Sequence, residues 1–311
     1  MGSKPQIVAI FEDAVVRGAL ICLRALPYGL NLFISILLIR GMFTFLPSRK
    51  RIAMLNLQNA FPDKTEAERA RIFDGEIDNL GRLLSSMTNF ESITPENFKG
   101  YIEQTHDSEF LADYERLKDS GFGRIIVGAH VGNWEILALA YPMLFEPLHF
   151  LYRKLDNPRL DNRLKQIRTQ LGNKPIDKAH SANQIMRVLR NGGAVGILAD
   201  VNVNLDEGVF VPFFGLSACT TKSIALLSLR ARAAIIPIFA VWEKGLGTYS
   251  VVHGRIIEPE STSDIDADAA RVTAAFTAEI EKVVRTYPDQ WMWIHRRWKT
   301  RPPGEPGIYG K

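Results

Sequence analysis

The hydrophobic and polar positions divide the chain into three zones. Residues 18–47 are almost continuously apolar, with 15 uncharged residues between Arg24 and Arg40. Residues 48–91 carry a helical period with a break at Phe61-Pro62-Asp63. In its second half Ile72, Phe73, Ile77, Leu80, Leu83 and Leu84 recur at three- and four-residue spacing. From residue 124 the pattern changes to short β-rich runs at 124–129, 148–153, 194–199, 234–241 and 249–257. Helical stretches alternate with them at 134–143, 158–171, 181–190 and 220–232, and a further amphipathic helix is predicted over 267–286. Strands alternating with helices predict an α/β fold around a central, mostly parallel sheet flanked by helices.

The apolar zone sets the predicted organisation: an N-terminal membrane anchor over 1–46 and an α/β domain over 47–311. Fifteen uncharged residues fall short of the ~20 that cross a bilayer core. With arginines snorkelling at its ends, a hydrophobic helix over 25–46 can span. The alternatives are a helix lying in the interface or a buried soluble hairpin, with Pro27 and Gly29 in the first turn or at a kink. Bases concentrate after the segment, at Arg40, Arg49, Lys50 and Arg51. Positive flanks stay in the cytoplasm, so the body is expected on the cytoplasmic side.

Composition narrows the class. With 46% hydrophobic and 23% charged residues the chain is neither disordered nor a multi-span transporter. Two cysteines exclude a disulfide framework and a cysteine-based zinc module. The net charge of +4 lies in the last 27 residues, where six bases face two acids. There Trp291, Trp293 and Trp298 interleave with His295, Arg296, Arg297, Lys299 and Arg301. Such a tail suits a membrane interface with anionic headgroups or stacking on single-stranded nucleic acid. It also suits tryptophans that pin the last segment to the core. The apolar N-terminus favours the membrane, with no nucleic-acid partner.

The richest segment is Gly123–Met143. A buried strand ends at Gly128-Ala129, His130 follows, Gly132 and Asn133 make a turn, and a helix begins near Trp134 with Glu135 in its first turn. The carboxyl-terminal edge of a parallel sheet is where α/β folds place ligands. The spacing allows Glu135 to accept from one imidazole nitrogen and leave the other as a free base. A packed histidine beside an ordinary helix-start acid is the structural alternative. No G-x-S-x-G or reactive cysteine accompanies it, so a base without an enzyme nucleophile points to direct attack by a substrate hydroxyl. A metal reading lacks a third ligand.

HVGNWE resembles the H-x4-D/E motif of the glycerophospholipid and lysophospholipid acyltransferases. Together with FLYRKLDNP, GILADVNV, GVFVPFFGLSACT and WMWIHRRWKTRP it resembles the late acyltransferases of bacterial lipid A biosynthesis over nearly the whole chain. The resemblance implies a glycerol-3-phosphate acyltransferase-like fold, His130 as general base and Glu135 as its partner. It implies Arg153, at the end of a strand and flanked by Tyr152, as a phosphate-binding residue. Asn133 in the turn and Arg296 and Arg297 in the tail are further candidates for substrate contact. Asp200 is a candidate too, but this chain has Val201 where those enzymes commonly carry glutamine, so Asp200 either organises Arg153, meets the acceptor or caps a turn. Backbone amides at 132–134 are candidate oxyanion donors.

The implied activity is acyl transfer from an acyl carrier protein thioester to a hydroxyl of a lipid A precursor. It would take place at the bacterial inner membrane on its cytoplasmic face, without an acyl-enzyme intermediate and without a metal or organic cofactor. The alternative within the fold is acylation of another glycolipid, lysophospholipid or aminolipid, with acyl-CoA as a possible donor. A lipid hydrolase and a non-catalytic membrane-binding protein are the readings from other classes.

Overall fold

The computed structural model of the chain describes residues 6–152, 154–177, 181–245 and 247–310. Four helices come first: α1 (Gln6–Arg24), α2 (Tyr28–Thr44), α3 (Pro47–Ala60) and α4 (Glu66–Met87). The sheet region then runs β1 (Ile102–Glu103), α5 (Ser108–Asp119), β2 (Arg124–Gly128), α6 (Trp134–Leu144), β3 (Leu148–Tyr152), α7 (Pro158–Thr169), β4 (Lys174–Asp177), α8 (Ser181–Arg190) and β5 (Ala194–Leu198). It closes with β6 (Gly208–Phe213), β7 (Leu216–Thr221), α9 (Ser223–Ala231), β8 (Ala234–Glu243), β9 (Thr248–His253) and α10 (Ile265–Thr286).

Seven strands form one sheet in the order β1-β9-β8-β2-β5-β3-β4. All neighbours are parallel except β8 and β9. The predicted architecture is therefore present. The period of two along each strand divides the core between two faces. Ile125 and Val127 of β2, with Ile235 and Phe239 of β8, meet α8, α9, α10 and the tryptophans of the C-terminal segment. Ile126, Ile236 and Ile238 meet α5 and α6 on the other face.

Local chemistry sets the helix ends. Thr65 and Glu68 form a reciprocal capping box at α4. Asn157 accepts from Arg159 and Leu160 ahead of Pro158 at the first position of α7. Asn133 accepts from the Ile136 amide and starts α6.

The apolar N-terminal zone is two helices. Pro27, which cannot donate a backbone hydrogen bond, stands at the N-cap of α2. α2 packs on α4: an added Cβ at Gly81 would lie 2.5 Å from Ile36, and Arg40 pairs with Asp78 at 2.7 Å. Among the described residues no single helix is long and apolar enough to cross a membrane. α2 and α3 meet that test only as a pair bent by 95°.

Candidate active site

Register builds the site. β2 and β5 are parallel with Gly128 opposite Leu198, and the Ala199 amide extends the ladder to Gly128 O at 3.0 Å. The residues two places beyond each strand, His130 and Asp200, therefore meet at the same sheet edge. Asp200 Oδ1 lies 2.9 Å from His130 Nδ1, and Asp200 Oδ2 accepts from the His130 amide at 2.9 Å and from Trp291 Nε1 at 2.8 Å. The carboxylate is buried and its two oxygens engage three donors. The His130 ring keeps 19% exposure, and Trp134 closes on it edge-on at 4.9 Å.

This geometry differs from the sequence expectation in one respect. Glu135 does not accept from the imidazole. Its carboxylate is held in a two-point ion pair by Arg168 of α7, at 2.9 and 2.5 Å. The physical cause is the direction of the first turn of α6, which turns Glu135 toward α7 while the neighbouring strand brings Asp200 to the ring.

Electrostatics follow from these contacts. Burial works against a charged His130. The charge and hydrogen bond of Asp200, then the charge of Glu135, outweigh it, so the imidazole pKa is raised above its ordinary value. Burial disfavours the charged Asp200, but His130 and the nearby His295 more than compensate and hold its carboxyl well below the usual range. His295 is itself held below the ordinary imidazole value, chiefly by burial.

A strap from the C-terminal segment locks the turn. The Gly132 amide donates to Gln290 O at 2.9 Å, the Met292 amide to His130 O at 3.0 Å, and Asn79 Nδ2 of α4 to Gly132 O at 3.0 Å. Gly132 has φ +58°, and a Cβ there would lie 1.9 Å from Ala240 O. Only glycine suits both constraints. The amides of Gly132 and Asn133 are spent on Gln290 O and Ala240 O, so they are not oxyanion donors in this arrangement. Of the three expected amides, that leaves Trp134, in the first turn of α6, where helix amides lack intrahelical acceptors.

The other candidates are dispersed. Tyr152 ends β3 on the same edge as His130. Arg153 lies outside the described residues. Arg296 is exposed, 6.0 Å from the Tyr309 ring centre. Arg297 is buried: its guanidinium donates to Cys219 O and Thr220 Oγ1 at 3.2 and 2.6 Å and lies over Phe213. It is a structural tie. Trp291, Trp293 and Trp298 are fully buried, so the tail is core rather than a membrane-facing surface.

Beside the His130 turn, between the sheet and α6, lies a cavity of about 110 Å³. Its walls include Ala129, Val131, Leu137, Leu148, Phe150 and Ile238, and the Glu135–Arg168 pair also lines it. A carboxylate-held imidazole whose second nitrogen has no hydrogen-bond partner among the described residues, next to an apolar recess at the sheet edge, is the equipment of a group-transfer enzyme acting on an apolar substrate.

The comparisons agree. The family model for bacterial lipid A biosynthesis acyltransferases matches residues 4–300, and the chain belongs to that family. It is 27% identical over 271 residues to the lipid A biosynthesis lauroyltransferase of Escherichia coli (strain K12), covering 85% of this chain and 84% of that protein. It is 30% identical over 266 residues to a lipid A biosynthesis acyltransferase of Haemophilus influenzae, covering 84% and 81%. It is 23% identical over 258 residues to the lipid A biosynthesis myristoyltransferase of E. coli (strain K12), covering 83% and 77%.

Proposed function

We propose that the protein transfers a fatty acyl chain from an acyl carrier protein thioester to a hydroxyl of a lipid A precursor, at the inner membrane with the catalytic domain on the cytoplasmic face. His130 is the general base. Asp200 accepts from Nδ1–H, which keeps the proton off Nε2. Nε2 takes the proton from the acceptor hydroxyl, and the oxygen attacks the thioester carbonyl. The tetrahedral intermediate collapses with loss of the carbon–sulfur bond, and the imidazolium returns its proton to the departing thiolate. No acyl-enzyme forms. Glu135 acts on the ring through its charge, from its pair with Arg168. Arg153 binds a phosphate of the acceptor. The acyl chain lies in the apolar cavity.

The observation that carries this reading is the His130–Asp200 hydrogen bond beside that cavity, in a chain of this family. The family relationship supports a lipid A-type acceptor. The exposed bases after residue 39 suit the anionic cytoplasmic leaflet, which supports placing the catalytic domain on that face.

The test is acyl transfer in detergent, with a lipid A precursor and lauroyl or myristoyl carrier-protein thioester. Wild type is expected to acylate the lipid, and His130→Ala to lose about 10²–10⁴-fold in rate. A fully active His130→Ala would overturn the mechanism. Transfer from acyl-CoA alone would replace the donor.

A further inference from the structure

The N-terminal helices present an apolar surface that no other part of the described chain covers. On α2, Leu30, Phe33 and Leu37 follow one another at i, i+3 and i+7, with Phe33 62% and Leu37 57% exposed. Leu38 is exposed beside them, and Phe45 at the end of the helix is 85% exposed. α1 adds Ile7, Phe11, Val15 and Ile21, all exposed. Scattered exposed apolar residues are ordinary, but a contiguous set on two adjacent helices marks an interaction surface.

Charge identifies the partner. Between residues 6 and 51 there are six bases against two acids. Arg17, Arg24, Arg49, Lys50 and Arg51 are all exposed. An apolar face rimmed by cations fits a bilayer carrying anionic headgroups.

The inner side of α2 sets the orientation. Asn31 and Ser35 are buried there. Asn31 Nδ2 donates to Leu23 O and Thr88 Oγ1 at 2.9 and 3.1 Å, and Ser35 donates to Asn31 Oδ1 at 3.2 Å. Those bonds, with the Arg40–Asp78 pair, fix α2 along α4. Standing α2 upright through a bilayer would strip these polar groups of their partners in hydrocarbon. At 17 residues α2 is also about 25 Å long, less than the ~30 Å hydrocarbon core. α4 touches the platform on one side and the catalytic turn on the other, through Asn79 and Gly132 O.

We infer that α1 and α2 dock the protein flat on one leaflet of an anionic bilayer, entering it with Phe11, Phe33, Leu37 and Phe45 and without crossing it, so that His130 lies one helix away from the leaflet that supplies the lipid acceptor. The role given to the leaflet rests on the acyltransferase reading. The docking itself rests on the exposed surface.

The experiment uses the full chain and vesicles of phosphatidylcholine with about 30% phosphatidylglycerol. Wild type floats with these vesicles and less with phosphatidylcholine alone. Phe33→Asp/Leu37→Asp lowers the partition coefficient at least about 100-fold, as expected for removing two inserted side chains, while still acylating a detergent-dispersed acceptor. In a Cys22→Ser background, single cysteines replacing Leu30, Leu37 and Phe45 carry a fluorophore. Spin-labelled lipids should quench all three alike, more strongly from a label near the glycerol than from one near the chain end. Depth that changes steadily from 30 to 45 means a spanning helix and overturns the proposal. So does unchanged flotation of the double variant, or a stable dimer that hides these positions and does not float. Flotation and uniform depth with no acyl transfer to any acceptor would sink the function and leave the docking standing.

Discussion

Replacing Asp200 with asparagine tests which carboxylate governs His130. The wild-type carboxylate accepts three hydrogen bonds, two at Oδ2 and one at Oδ1. Asparagine has one oxygen and one NH2. If the oxygen keeps the His130 amide and Trp291 Nε1, the NH2 must face Nδ1 and donate to it. The ring then carries its proton on Nε2, where the base should be. A base frozen in the wrong tautomer costs on the order of 10³–10⁴-fold in kcat. Losing Asp200's charge also removes the main contribution that raises the His130 pKa, while burial, which lowers it, remains. The neutral ring is the active form, so activity falls as pH drops through this pKa. Wild type should show its acid limb above the ordinary imidazole value, and the residual activity of Asp200→Asn should have that limb at lower pH. The assay is kcat/KM against pH for both proteins, with thermal melts to establish folding. If Asp200→Asn keeps activity within tenfold and an unshifted limb, while Glu135→Gln is inactive, the reasoning fails.

Glu135→Gln should leave the tautomer intact, lower kcat far less than Asp200→Asn, and destabilise the fold by about 1–3 kcal/mol by weakening the Arg168 pair, read by denaturant titration. Gly132→Ala should be inactive and at least about 1–2 kcal/mol less stable, from the left-handed backbone alone, before the contact with Ala240 O is added; wild-type activity in that variant would refute the locked turn. Glu76 is fully buried against the strap and burial pushes its carboxyl well above the usual range. An acid so displaced contributes stability below its unfolded pKa and loses it as pH rises, so Glu76→Gln should match wild type in Tm near pH 4 and exceed it at pH 8. Equal melting points at both would count against that account.

The strands and helices around the sheet were legible because each carries its own period: Ile125, Ile126 and Val127 read as a buried strand without reference to any partner. The hairpin of β6 and β7 was not, since Pro212 and a run of phenylalanines mask alternation. Its turn depends on Phe214 and Gly215 at φ 53° and 76°. His130 was legible from its place after a strand. Its partner was not, because the contact with Asp200 depends on the β2–β5 register, a relation between segments 70 residues apart. Glu135 was the plausible local choice, and only the position of α7 shows where its side chain goes. The same holds for the tail. Tryptophan beside arginine reads alike at a membrane and in a core, and the burial of Arg297 against Cys219 O and Thr220 decides between them. The strap residues Gln290 and Asn79 and the neighbour His295 left no signal in spacing at all.

The strap also governs when the enzyme becomes competent. Trp291 reaches Asp200 across 91 residues, and Asn79 reaches Gln290 across 211. During synthesis at ~5–20 residues per second, roughly 5–18 s separate the emergence of Asp200 from that of Trp291. Through that interval β2 and β5 can pair, but Asp200 lacks one of its three donors and the His130 turn lacks its clasp. The helices at the start of the chain are made long before, free to find a lipid surface. The order of the sequence therefore separates arrival from activation: a growing chain can reach its surface early and gains a clasped base only once Trp291 has been made.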